Sequence, residues 1–177
     1  MDMKAAQLDL DHAFYGGAPG AMVSGVVWML AGAIGAWLSP QYSIAVLFIG
    51  GMLIYPLGML ISRMLGRPGS AANDNPLTAL AMESTVLLFL GLFVAWICFS
   101  VRIDWFYPIM LLTIGGRYLI FQTLYGNKLY WLLGASLIAA GTAGFLFALP
   151  FYVPALTGGG LELLFAAIIF FGNRGHR

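Results

Sequence analysis

The sequence predicts an all-α polytopic membrane protein, a transmembrane bundle of six helices, and three observations predict it. Hydrophobic residues make up 61% of the 177-residue chain and charged residues only 8%, against about 25% charged in an ordinary soluble domain. Six apolar stretches reach or approach the ~20 residues needed to cross the hydrocarbon core. The basic residues also sort by side: with six crossings, Lys4, Arg63, Arg67, Lys128, Arg174 and Arg177 fall on one side and Arg102 on the other. A soluble fold of this length still exposes roughly a third of its unfolded surface. Too little polar surface exists here to cover it, so lipid is part of the solvent.

Residues 1–20 read as a short cytoplasmic N-terminal arm. Its opening, MDMKAAQLDLDHAFY, holds three acids and one lysine and lacks the continuous apolar stretch of a secretory signal. The first crossing, from about Ala21 to Leu38, is therefore a retained helix, broken at Ser39-Pro40. The second runs from about Gln41 to Ile61 and is expected to kink at Pro56, which lacks an amide donor. The stretch SRMLGRPGSAANDNP is a loop by composition, and Asn75-Pro76 suits a helix start. The third helix spans Leu77 to about Ser100. After the polar turn holding Arg102 and Asp104, where Asp104 is placed to cap, the fourth continues through Pro108 to about Tyr125.

Gly126-Asn127-Lys128 turns the chain into a fifth helix from about Leu129 to Leu149, closed by Pro150. The sixth is expected as a continuous or weakly broken span from Pro154 through Gly158, Gly159 and Gly160 to Phe171. Its run Leu161 to Phe171 covers only ~17 Å at 1.5 Å per residue. A break at the glycines would therefore leave a re-entrant element. Residues 21–172 thus form one six-helix domain and 173–177 a cytoplasmic basic tail. The charge asymmetry places both termini in the cytoplasm.

Small residues at spacing four, Ser136, Ala140, Gly144 and Ala148 in the fifth helix, with Ala21/Gly25 and Gly32/Ala36 in the first, predict close helix approach. Trp105, Phe106, Tyr107, Tyr125, Tyr130 and Trp131 lie near helix ends and are expected in the interfacial belt. The single cysteine, Cys98, has no partner for an internal disulfide and reads as a small packed or lipid-facing hydrophobe.

Three ionisable side chains fall well inside the crossings. Glu83, Arg117 and Glu162 lie at depths of roughly 10, 14 and 15 Å from the cytoplasmic boundary, so all three are expected in one layer. Insertion scales charge about 2.5–3.5 kcal/mol for such residues near a helix centre; each must face the bundle interior, a partner or water. An arginine between two glutamates would satisfy its donors with carboxylates and leave one excess acid for a cation or proton. The alternative is that the charges only fix helix positions. Thr113, one turn before Arg117, is placed to add a hydroxyl; Tyr118 is offset around the helix, and Gln122 lies elsewhere on it.

Recognised chemistry is scarce. HExxH, GxxxxGK[ST], GxSxG and CxxC patterns are all missing from the sequence, so no metal, cofactor or catalytic residue is assigned. A net charge of +1 gives no field for nucleic acid.

The segments Tyr55 to Pro68 (YPLGMLISRMLGRP), Asn75 to Leu77 and Glu83 resemble small uncharacterised bacterial multi-pass membrane proteins grouped only by a domain of unknown function. The resemblance implies a bacterial cytoplasmic (inner) membrane location and carries over no functional residue. Arg63 and Arg67 stand within it, four residues apart. They are candidates to meet lipid phosphates or gate a pathway, beside their plain role as positive-inside anchors.

The reading is a small transporter, channel or sensor for an ion or small solute, using Glu83, Arg117 and Glu162 with Thr113. Its alternatives are an accessory or scaffold protein that binds another membrane subunit, and a membrane-embedded enzyme acting on a lipid-like substrate. Expected partners are membrane lipids and the solute or ion, with homo-oligomerisation open.

Overall fold

A computed structural model describes the backbone of residues 1–174 and the side chains of residues 1–172. The expected basic tail at 173–177 therefore lies outside the described side chains. Among the described residues seven helices follow one another: α1 (Met3–Phe14), α2 (Ala18–Trp37), α3 (Pro40–Met64), α4 (Leu77–Val101), α5 (Phe106–Tyr125), α6 (Leu129–Leu146) and α7 (Tyr152–Arg174). Short 3₁₀ turns occupy Tyr15–Gly17 and Ile103–Trp105. The six long helices, α2 to α7, form an all-α bundle.

The punctuation is chemical. Ser39 ends one helix and caps the next, its Oγ accepting from the Tyr42 amide at 3.3 Å, with Pro40 opening α3. That helix then runs unbroken through Pro56. Asn75 Oδ1 accepts from the Leu77 amide at 2.9 Å and starts α4. Asp104 makes no cap, because the turn at 103–105 closes through its own backbone, Trp105 N–H to Arg102 O at 3.1 Å. The α6 helix stops at Leu146, earlier than the sequence suggests, since Ala148 turns left-handed at φ 45° ahead of Pro150.

The N-terminal segment is a helix, where a polar arm was expected. Ala6, Leu10 and Ala13 follow one helical face and are buried. Asp2 caps the start, accepting from the Ala5 amide at 2.8 Å. The helix lies across one end of the bundle and is fastened there. Gln7 Nε2 donates to the Thr123 carbonyl at 2.8 Å, and Asp9 Oδ2 accepts from the Ala72 amide at 2.9 Å and Asn75 Nδ2 at 2.8 Å.

Packing divides the long helices into two groups, α3-α2-α7 and α4-α5-α6, which meet where α7 rests on α6 and α5. The α2–α7 contact explains the triple glycine. A Cβ on Gly159 would lie 2.8 Å from the Met29 amide nitrogen and 2.9 Å from the Gly25 carbonyl oxygen. One on Gly158 would meet Leu111 Cδ2 at 2.5 Å, whereas Gly160 faces open space. The glycines let two backbones touch, and α7 passes through them without a break. In α6 the close approach uses Gly134, Gly141 and Gly144, set against Gly115, Pro108 and Pro154. Of the expected stripe, Gly144 makes one of these approaches and Ala140 packs against the core, while Ala148 lies beyond the helix.

The aromatic belt also needs correction. Phe106, Tyr107 and Tyr130 are fully buried, and only Trp105 (37% exposed) and Trp131 (50%) keep a belt-like position. The α5 helix runs through the centre of its group, so the aromatics at its ends turn inward.

Among the described residues five segments are long and apolar enough to cross a membrane, those ending in α2, α3, α4, α6 and α7. Their outer faces, Phe48, Ile49 and Met52 on α3 and Phe89, Leu90 and Phe93 on α4 among them, are exposed. Hydrocarbon is the solvent that accepts such faces. The exception, α5, is as long as α2 but carries Arg117 and packs away from the surface. The chain is a multi-pass membrane protein.

Candidate functional site

Three tyrosine hydroxyls at different depths tie the bundle together, two of them between the two helix groups and one to the turn before α2. Near the end remote from α1, Tyr107 of α5 meets Ser43 Oγ of α3 at 2.6 Å. Ser43 gives its one hydrogen to the Ala31 carbonyl at 2.5 Å, so Tyr107 is the donor. Near the α1 end, Tyr130 of α6 donates to the Gly16 carbonyl at 2.6 Å. Between them, Tyr118 of α5 donates to Glu162 Oε1 of α7 at 2.9 Å.

Glu162 is 1% exposed, and its second oxygen, Oε2, is buried with no hydrogen-bond partner. Ser24 of α2, itself buried, faces the same carboxyl group without closing a hydrogen bond of good geometry. Buried carboxyl oxygens rarely stay unpaired, because each costs its full desolvation.

Arg117 turns the other way, toward α4. Its Nε donates to Ser84 Oγ at 3.3 Å and its Nη2 to Thr85 Oγ1 at 3.1 Å. Both hydroxyls give their own hydrogens to the Ala81 carbonyl, at 2.7 and 3.0 Å, and so present lone pairs to the guanidinium. The cation also lies 5.2 Å from the Phe121 ring centre, a favourable quadrupole contact. Phe121 in turn packs edge-on against Tyr118 at 5.2 Å. Phe121 and Tyr118 thus link the cation to the carboxyl group through a chain of contacts.

The three expected charges are not drawn into one ion cluster. No carboxylate oxygen lies within 4.0 Å of Arg117 among the described residues. Glu83 is exposed on the outer surface of α4, because the neighbouring Ser84 takes the face toward α5 and successive helical residues point about 100° apart. Thr113 donates to the Ile109 carbonyl at 2.9 Å and packs against Gly91 of α4, on the same seam as Arg117 but farther along it. Arg63 is exposed and donates Nε to the Pro68 carbonyl at 3.3 Å. Arg67 holds its guanidinium 5.0 Å above the Tyr15 ring, with a buried Nε that has no acceptor.

Sequence reasoning undervalued Tyr118 and missed Ser84, Thr85 and Ser24. The signal was a pair of adjacent hydroxyls beside a membrane-depth glutamate. No group of three His, Cys, Asp or Glu side chains suited to a metal assembles among the described residues.

A family of unknown function, DUF7010, matches the chain over residues 3–172. The chain belongs to that family. The match takes in α1 as well as the bundle, so the short helix and the Tyr118–Glu162 pair fall within the family region. No curated protein and no solved structure matches the chain.

Proposed function

We propose that the chain is a small membrane transporter, channel or sensor for an ion or small solute, and that Glu162 is the group that engages it. The observation that carries the reading is the unpartnered Oε2 of Glu162, buried where α7 meets α5. Intramembrane carboxylates that face a bundle interior mark ion or proton sites more often than they serve packing alone. Tyr118 orients the carboxyl group, and Arg117, in the same layer behind Phe121, balances its charge. The two helix groups are the bodies between which access to Glu162 would open. Clustering of Lys4, Arg63, Arg67 and Lys128 at the α1 end supports a cytoplasmic location for that end, in a bacterial inner membrane.

The test is reconstitution into liposomes loaded with a pH dye, with Na⁺, K⁺ and H⁺ gradients imposed in turn. Wild type is expected to pass or bind one of these ions, Glu162→Gln to abolish the effect with the protein still folded, and Tyr118→Phe to weaken it. Equal behaviour of wild type and Glu162→Gln, in flux and in ion-dependent thermal stability, refutes the reading.

A second reading rests on α4, which among the described residues packs chiefly on α5 and whose outer face carries Glu83 beside bulky apolar side chains. That face suits another membrane subunit. Here Glu83→Gln lowers partner recovery, and Glu162→Gln leaves recovery unchanged.

A further inference from the structure

An open groove of about 560 Å³ runs between α2 and α3, lined only by apolar residues such as Val26, Val27, Leu30, Val46 and Leu53. A second cleft of about 400 Å³ lies under the end of α7 and reaches Ala18 and Leu65. Met22 and Ile61 line both, so the two form one trough. From Leu30 to Ala18 it follows α2 for about 18 Å at 1.5 Å per residue. One leaflet of the hydrocarbon core is about 15 Å deep, so the trough has the length of one acyl chain.

One basic side chain, Arg67, lies beside its α1 end. Arg67 follows Leu65 of the trough by two residues. Its guanidinium lies on Tyr15, and Tyr15 stacks at 5.0 Å on Phe170, another lining residue. The Arg67 Nε hydrogen is buried without an acceptor, and no carboxylate lies within 4.0 Å of the side chain among the described residues. Arg63 differs, since its Nε is taken by the Pro68 carbonyl. A guanidinium with an unpaired Nε, set beside an apolar trough by the Tyr15–Phe170 stack, fits an anionic oxygen attached to a hydrocarbon tail.

We propose that this trough binds one anionic glycerophospholipid, its acyl chain between α2 and α3 and its phosphate on Arg67. The site is separate from Glu162 and does not depend on the function proposed for it. Purified protein in mild detergent, titrated with phosphatidylglycerol and followed by native mass spectrometry, is expected to take up one tightly held lipid per chain. Arg67→Gln is expected to weaken that binding about tenfold or more, the fold-change of one charge-assisted hydrogen bond, and Arg63→Gln to leave it unchanged. Val26→Trp, which fills the trough from a half-exposed position, is expected to block it, whereas Val86→Trp on α4 does not. Equal binding by wild type, Arg67→Gln and Val26→Trp overturns the proposal. So does displacement of the lipid by glycerol 3-phosphate at matching concentration, because the site would then recognise phosphate alone.

Discussion

Three adjacent glycines in one helix give a graded test of how α7 packs. Replacing each of Gly158, Gly159 and Gly160 by alanine adds the same methyl group at three angles. At Gly159 the methyl meets backbone, 2.8 Å from Met29 N and 2.9 Å from Gly25 O, which cannot yield unless α2 moves. At Gly158 it meets side chains and no backbone, Leu111 Cδ2 at 2.5 Å and the Trp28 ring at 3.2 Å, and at Gly160 it meets nothing within 4 Å. Overpacking costs about 1–3 kcal/mol, while glycine to alanine in a helix gains up to about 1 kcal/mol. The propensity term is common to all three and cancels between them. Gly159→Ala is therefore expected to fall about 1–3 kcal/mol below Gly160→Ala, with Gly158→Ala between. Unfolding of the purified protein by increasing SDS in mild detergent, followed by tryptophan fluorescence, measures the order. Were the glycines a hinge, stiffening any of them would have a similar effect. Three indistinguishable variants, or Gly159→Ala as the most stable, would refute the packing argument.

Asn75→Ala removes three hydrogen bonds, to Ala6 O, Asp9 Oδ2 and the Leu77 amide, together about 2–3 kcal/mol. Hydrogen exchange should speed up across residues 3–14 with mid-span amides unchanged; a uniform loss of protection counts against it. Arg117→Lys cannot serve Ser84 and Thr85 with one planar fork and is expected to cost about 1.5–3 kcal/mol. A double-mutant cycle with Thr85→Val should show coupling of about 1 kcal/mol, and zero coupling contradicts the contact. Tyr107→Phe leaves Ser43 bonded to Ala31 but severs the α3–α5 link, for a loss of about 1 kcal/mol in the same SDS titration; a variant as stable as wild type denies the link any weight.

The six long helices were legible because apolar runs and their punctuation, Ser39-Pro40 and Asn75-Pro76, are local signals. Which helix carries each charge was legible too, since it follows from counting residues along the chain. Their direction was not. Whether residue 83 or 84 faces α5 depends on how α4 is rotated, and that is set by Gly91 against Thr113, a contact between distant parts of the chain. The same blindness sent Phe106, Tyr107 and Tyr130 to the membrane surface, because proximity to a helix end says nothing of which neighbours surround it. The α1 helix was hidden by its acids. Asp9 looks like solvent-facing polarity in the sequence and is a bridge to Ala72 and Asn75 in the fold.

The union of α2 with α7 bears on how the chain is made. The α2 helix meets its glycine-faced partner only after α7 has been synthesised, so Gly25 and Gly32 must wait through the insertion of the four intervening helices α3 to α6. The α1 helix waits as well, since Thr123 belongs to the end of α5. Closure of the bundle consequently waits for α7, and any chain halted before it leaves an unfilled backbone seam open to the wrong neighbour.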